Sequence, residues 1–326
     1  IEAGVVRVVA AVGDPDPVVG GSGFAELESA GIEVRQGILE EEARALNRGF
    51  FSRHRRRRPW LRCKIAATLD GRTATACGES KWITSKAARI DVHCLRARSG
   101  AILSGIGTVL ADNPRLDVRI PSKAGDDGAG DHDHRRIVVQ GSENDEDAMA
   151  FAPPMKVVVD STLRTLPTAR LLATPGAVLI ASSEAIEGDV AYRSKHEALM
   201  EAGAEIVFVP EATPAGGGGL CLMSLMRILA RRGVNELHSE CGPTLAGALI
   251  DAGLVDELVI YLAPSLLGDE AKGMFALSAI RRMQDRIRLS IDGFRLLEGD
   301  IRIDASIAST GRSSAIDGSE DPIDQR

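Results

Sequence analysis

With 326 residues, 44% of them apolar and 26% charged, the chain has the composition of an ordinary soluble globular protein and can bury a large core as one domain or two. A formal net charge of −7 argues against a general nucleic-acid binder, and no apolar run approaches the roughly 18 residues of a membrane span. No basic-then-apolar signal peptide opens the chain, so it reads as cytoplasmic, and five widely spaced cysteines without a CxxC pair fit free, mostly buried thiols rather than zinc or disulfides.

Residues 1–49 predict a small α/β piece: strand Val5–Val12, loop Asp14-Pro15-Asp16-Pro17, helix Gly23–Ala30, strand Ile32–Arg35 and helix Glu40–Asn47. That is too little to close a sheet covered on both faces, so it reads as the end of something larger, and Ile1 in place of Met fits a fragment or a processed product. The run Arg53-His54-Arg55-Arg56-Arg57-Arg58 before Pro59 reads as a solvated linker.

From Pro59 onward strands and helices alternate, the pattern of an α/β sheet. Leu61, Cys63, Ile65 and Ala67 alternate with Arg62, Lys64 and Ala66, which predicts a strand whose Lys64 faces away from Ile65. Asp70-Gly71 signals a turn, and Thr84 or Ser85 caps a helix to Ser99 with Ala88, Val92 and Leu95 on one stripe. Further strands are expected at 101–104, 137–140, 156–160, 177–182, 205–209, 236–239 and 258–263, and helices at 193–202, 222–232 and 243–252. The end alternates apolar and polar residues over 287–291, 294–297 and 299–305, which predicts antiparallel strands and hence a mixed sheet. Lys123–His134 reads as a surface loop and the polar tail from Thr310 as disordered; Asp131-His132-Asp133-His134 is a weak metal motif on that loop.

Three places join glycine to a helix start, where free backbone N–H groups favour anions: Gly20–Gly23, Ser104–Thr108 and Glu240–Gly247. Glu240 adds a carboxylate at a strand end, either a ligand-site group or a surface residue. Arg96 and Arg119 have the fork that suits phosphate, but Arg89 and Arg98 are equally well placed by periodicity, and spacing does not choose among them. There is no GxSxG, HExxH or P-loop.

Lys64–Arg72 (KIAATLDGR), Gly78–Thr84 (GESKWIT), Leu95-Arg96-Ala97, Gly107–Leu116 (GTVLADNPRL), Val159-Asp160-Ser161 and Glu240–Leu245 (ECGPTL) occur in an order that resembles the reductase domain of the bifunctional riboflavin biosynthesis deaminase/reductase family. The resemblance implies a dihydrofolate-reductase-like mixed sheet flanked by helices, over residues 59–309. It also implies NADPH-dependent reduction of 5-amino-6-(5-phosphoribosylamino)uracil, a phosphorylated pyrimidine, by a homodimer. Carried over, the cofactor contacts are Ala66, Trp82, Thr108, Asp112, Ser161 and the turn Gly242, Pro243, Thr244, Leu245, Ala246, Gly247 and Ala248. The substrate contacts are Ser80, Arg96, Leu116, Arg119 and Glu240. Lys64, which faces the same side as Ala66, is the candidate for polarising or protonating the substrate, with Asp70 as a second catalytic candidate.

Residues 1–58 resemble the end of the family's cytidine-deaminase-like domain, through Arg7-Val8-Val9, Asp14–Pro17 and Glu42–Phe51. That domain's zinc motifs would lie upstream, so neither zinc nor deaminase activity is expected of this chain. Two departures from the family pattern are a long 121–155 segment and Cys241 where a small residue is expected. The alternatives are a reductase of the same fold acting on another pterin or pyrimidine, and a non-catalytic nucleotide-binding module.

Overall fold

The computed structural model describes residues 1–120, 152–212 and 219–308. The expected strand at 137–140, the 123–134 loop with its Asp-His-Asp-His motif, and the tail from Thr310 lie outside the described residues.

The front piece is a parallel pair, β1 (Arg7–Ala10) and β2 (Glu33–Gln36), joined by α1 (Ser22–Ser29) and followed by α2 (Glu40–Leu46). Next comes α3 (Arg48–Arg56), which contains most of the basic run. The linker reading is corrected here. Arg56 and Arg58 donate to the Asp256 carboxylate at 2.7 to 2.8 Å, the Leu61 N–H donates to it at 2.8 Å, and Arg58 is only 8% exposed. Arg48 pairs with Glu257 at 2.9 Å, and Arg48 and Arg56 lie over the Trp60 ring. These carboxylates are about two hundred residues away along the chain, which is why local charge density could not reveal them. Gly49 lets α3 approach closely: a Cβ there would lie 2.7 Å from the Asn235 carbonyl oxygen.

The main body continues through β3 (Trp60–Thr68), β4 (Arg72–Ala74), α4 (Lys86–Ala97), β5 (Ala101–Gly105), α5 (Ile106–Asp112), β6 (Met155–Val159) and β7 (Val178–Ser183). Then follow α6 (Val190–Glu201), β8 (Ala204–Val209), α7 (Leu222–Arg231), β9 (Glu236–Ser239), α8 (Pro243–Asp251), β10 (Glu257–Ala263), β11 (Lys272–Gly273), β12 (Leu289–Leu297) and β13 (Asp300–Ile307). Nine strands form one sheet in the order β12-β13-β10-β3-β9-β5-β6-β7-β8, parallel from β10 to β8 and antiparallel at the β13 and β12 edge. The last two predicted end segments are these edge strands; the apparent break between 287–291 and 294–297 is a register shift between Ile291 and Gly293 within β12.

Alternation on β3 divides the faces. Leu61, Cys63, Ile65 and Ala67 pack beneath α7 and α8 in the largest apolar cluster. On the opposite face, α4 packs Ala88, Val92 and Leu95 on Val259 and Tyr261, while Ile102, Val158 and Ile180 form a second cluster with Val109 and Leu199. Arg62, Lys64 and His238 project between these two clusters as a polar column. The fifth strand from the β12 edge, β9, stops at Ser239, level with Cys63 and Leu103, while its neighbours run on to Thr68 and Gly105. The chain passes from β3 to β5, fills the gap later with β9, then places β10 on the far side of β3. Such a switch in strand order opens a crevice at the carboxyl ends of parallel strands. Of the cysteines only Cys63 is buried and Cys77 is exposed, so the expectation of mostly buried thiols holds for one.

Asp256→Ala strips Arg58 of its counter-charge and Leu61 of its acceptor. The expected loss is about 3–5 kcal/mol, read in urea unfolding of the intact chain.

Candidate active site

Glu240 follows directly on β9. Its N–H donates to the Leu103 carbonyl at 2.8 Å and its own carbonyl accepts from Ser104 Oγ at 2.8 Å, so its main chain is fastened to β5. The carboxylate meets Arg96 from the last turn of α4: Nε donates to Oε1 at 2.5 Å and Nη2 to Oε2 at 2.8 Å. Ser85 starts that helix, its Oγ accepting from the Ala88 N–H at 3.2 Å, and the apolar stripe seats it on the sheet. Geometry thus ranks the arginines that periodicity left level. Arg89 lies over the Trp82 ring and donates to the Thr84 carbonyl instead, and Arg98 is the exposed C-cap.

Lys64 Nζ is 4.0 Å from Glu240 Oε2, and His238 Nε2 is 3.3 Å from Oε1. Burial alone would raise the Glu240 pKa, but the charge and hydrogen bonds of Arg96, helped by His238 and Lys64, hold it well below the usual carboxylate range. Burial pushes the Lys64 ammonium down, opposed by Glu240 and reinforced by Arg96. Burial also lowers His238, which favours the neutral imidazole. His238 carried no sequence signal beyond its alternation with Leu237.

Arg96 Nη1 donates to the Asp117 carbonyl at 2.8 Å, which ties α4 to the segment that follows Leu116. The Asp117 carboxylate receives Arg115 Nε at 2.8 Å and lies 3.1 Å from Arg119 Nε. Arg119 keeps a side chain 56% exposed, while its N–H donates to His93 Nδ1 at 3.1 Å. Burial first, then the positive charges of Arg96 and Arg119, push His93 down to about 4, against the pull of Glu240 and Asp117.

The other wall is made of two helix starts, at the carboxyl ends of β5 and β9. Gly105 before α5 and Gly242 before α8 are extended and supply no side-chain cap, so first-turn N–H groups stay open to an anion. The two meet: Leu245 packs on Gly105, and a Cβ on Gly242 would lie 3.6 Å from Thr108 Oγ1. Pro243 pre-shapes the first turn of α8. Thr244 and Ala248 are exposed, whereas Ala246 is buried in the core and Gly247 is a packing site, a Cβ there falling 2.1 Å from the Ala276 carbonyl oxygen.

Ser80 Oγ donates to Asp112 Oδ1 at 3.4 Å, with Lys81 Nζ 3.8 Å from the same oxygen, and Trp82 is 75% exposed beside them. Ser161 follows Asp160, whose carboxylate accepts from Thr165, and Ala66 lies half-buried against the α4 cluster. Two residues depart from expectation. Leu116 is buried, with a φ of 49°, so its side chain belongs to the core. Asp70 accepts from Thr68 Oγ1 and from the Leu267 and Gly268 N–H groups, so it clamps a turn instead of joining Lys64 and Glu240. No helix among the described residues is long and apolar enough to cross a membrane.

A mixed sheet whose strand order switches beside β9, with a charged crevice there, is an α/β reductase fold of the dihydrofolate-reductase-like class. Solved structures share it: Acinetobacter baumannii RibD, form 1, superposes with a TM-score of 0.76 at 33% identity over 94% of this chain and 74% of that one. A Thermotoga maritima diaminohydroxyphosphoribosylaminopyrimidine deaminase/5-amino-6-(5-phosphoribosylamino)uracil reductase gives a TM-score of 0.70 at 23% identity, over 94% and 72%. Residues 59–301 match the family described as the RibD C-terminal domain, and the chain belongs to that family. The riboflavin biosynthesis protein RibD of Escherichia coli K12 is 39% identical over 307 residues, covering 92% of this chain and 74% of that protein.

The neutral His93 sets a pH dependence. Its folded pKa of about 4 lies below the unfolded 6.5, so between these values the unfolded chain binds more protons, and stability drains away as pH falls from about 6.5 toward 4. In His93→Gln that slope is expected to flatten, as measured by urea unfolding at a series of pH values.

Proposed function

We propose that this chain catalyses NADPH-dependent reduction of 5-amino-6-(5-phosphoribosylamino)uracil to 5-amino-6-(5-phosphoribitylamino)uracil, in the cytoplasm and as a homodimer. Membership of the RibD C-terminal domain family supports the reaction class. The observation that carries it is the Lys64–Glu240–Arg96 cluster, set beside two uncapped helix starts in one crevice. The apolar side chains of Ile291, Phe294 and Leu296 exposed along the edge strand β12 support the homodimer. Residues 1–58 are read as the end of a deaminase domain and 59–309 as the reductase. The 307-residue alignment, longer than the 59–301 family match, favours a relationship that extends beyond the reductase.

The helix starts at Gly105 and Gly242, with Thr108 between them, suit the cofactor's phosphates, and the family resemblance adds Ser161, Ala66, Trp82 and Asp112 as further cofactor contacts. Bound there, NADPH would supply the hydride that C1′ of the ring-opened ribosyl imine takes up. Lys64 hands a proton to the imine nitrogen, so hydride and proton together yield the ribitylamine; solvent restores the ammonium. A depressed lysine pKa makes that transfer easier.

A carboxylate has about four lone-pair sites. Arg96 claims one on each oxygen of Glu240, leaving Oε2, on the Lys64 side, open to a substrate N–H. Arg96 is thus committed chiefly to Glu240 and adds positive charge, while the more exposed Arg119 meets the ribose phosphate directly. Ser80 contacts the substrate beside Asp112, and Asp70 serves by holding the 267–268 turn.

The decisive assay is NADPH oxidation with the ribosylaminouracil phosphate beside dihydrofolate as the competing substrate; oxidation with dihydrofolate alone overturns the proposal. Lys64→Ala is expected to lower kcat roughly 10²–10⁴-fold without weakening NADPH binding, and unchanged turnover at saturating NADPH removes the proton-donor role. Arg119→Ala is expected to raise KM for the phosphorylated substrate roughly tenfold or more, the loss of one charge-assisted contact; a normal KM removes the phosphate assignment.

A further inference from the structure

We infer that His93 is a positioning residue of the phosphate subsite: it holds the main chain at Arg119 and turns its own Nε2–H toward the phosphate of the substrate. The inference rests on the reduction proposed above for its substrate, and on geometry for the rest.

His93 precedes Arg96 by three residues on α4, so the two side chains leave the same face of the helix. The Arg119 N–H donates to His93 Nδ1 at 3.1 Å. A ring nitrogen that accepts has a free lone pair, so in the neutral imidazole the proton belongs to Nε2, and this nitrogen is the donor. The groups facing the ring are Arg96 on its own helix, Asp117 and Arg119 on the segment after α5, and Glu240 after β9; burial, with the positive charges of Arg96 and Arg119, outweighs the two carboxylates and leaves His93 neutral near pH 7. His93 therefore contributes direction and not charge.

Charge comes from its neighbours. Among the described residues, Lys64, Arg96, Arg115 and Arg119 pair with two carboxylates, Glu240 and Asp117. The surplus of about two positive charges matches a phosphate monoester, which carries −1.5 to −2 near pH 7. Arg119 lies in a segment without helix or strand, so no regular structure orients its exposed guanidinium. The tether to His93 does so, together with the ion pair to Asp117.

The test compares wild type, His93→Leu and His93→Gln on the phosphorylated substrate and its dephosphorylated counterpart. Gln retains an acceptor and a donor at similar reach; Leu retains neither. The preference for the phosphorylated substrate, as a ratio of kcat/KM values, is expected to fall roughly tenfold in His93→Leu, the loss of a hydrogen bond to a charged group. In His93→Gln it is expected to stay within about threefold of wild type. An unaltered ratio in His93→Leu, or a Gln variant no better than Leu, overturns the inference, since a merely structural role moves both substrates alike.

Calorimetric titration with ribose 5-phosphate separates this from failure of the reaction itself. If the wild type does not reduce the aminouracil but still binds ribose 5-phosphate, more tightly than His93→Leu and comparably to His93→Gln, then the reaction is wrong and the subsite stands. Equal binding by all three proteins, or none by the wild type, overturns the subsite.

Discussion

The bidentate pair between Arg96 and Glu240 is the constraint on which the crevice depends. An ionised carboxylate that is only 14% exposed is costly unless its charge is answered, and Arg96 answers it while donating to each of its oxygens. The pair fastens the last turn of α4 to the end of β9, while the third arm of the same guanidinium holds the main chain at Asp117. The segments at Arg96, Asp117 and Glu240 are thereby locked around one opening, which exists because β9 ends before its neighbours.

Charge also runs along the rest of that sheet face. At the amino ends of the strands Arg62, almost wholly buried, lies 3.1 Å from both Glu236 and Glu257, and Arg48 of α3 joins the same carboxylates. At the carboxyl ends stand Lys64, His238 and Glu240. Apolar residues on this face are therefore split into two clusters, one under α4 and one around β6 and β7. Buried ion pairs of this kind add little net stability compared with well-packed apolar residues, but breaking one partner is costly, so they hold α3 and α4 in a single register.

The regular elements were legible wherever burial imposed a period. The strand at 236–239 was read to the residue, and the α4 stripe of Ala88, Val92 and Leu95 and the helix start at Pro243 were read correctly. The basic run reads as solvated because nothing local answers its charge; in the fold Asp256 is brought beside Arg56 and Arg58. Asp70 was assigned to chemistry because it lies in a matched motif, yet its acceptors serve the 267–268 turn. His93 and His238 went unread because a single histidine has no periodic signature; each gains its meaning from a partner in space, Arg119 for one and Glu240 for the other.

By itself the sequence determined which way each strand residue faces and where helices begin, because alternation, capping and proline act over a few bonds. It thus placed Lys64 opposite Ile65 and Gly242 ahead of a helix. Only the tertiary structure decided which charges meet. Arg89, Arg96 and Arg98 are equivalent by helical spacing, and Arg96 is distinguished by a carboxylate 144 residues away. Electrostatic interaction falls with distance through space and strengthens with burial, and neither quantity is set by separation along the chain.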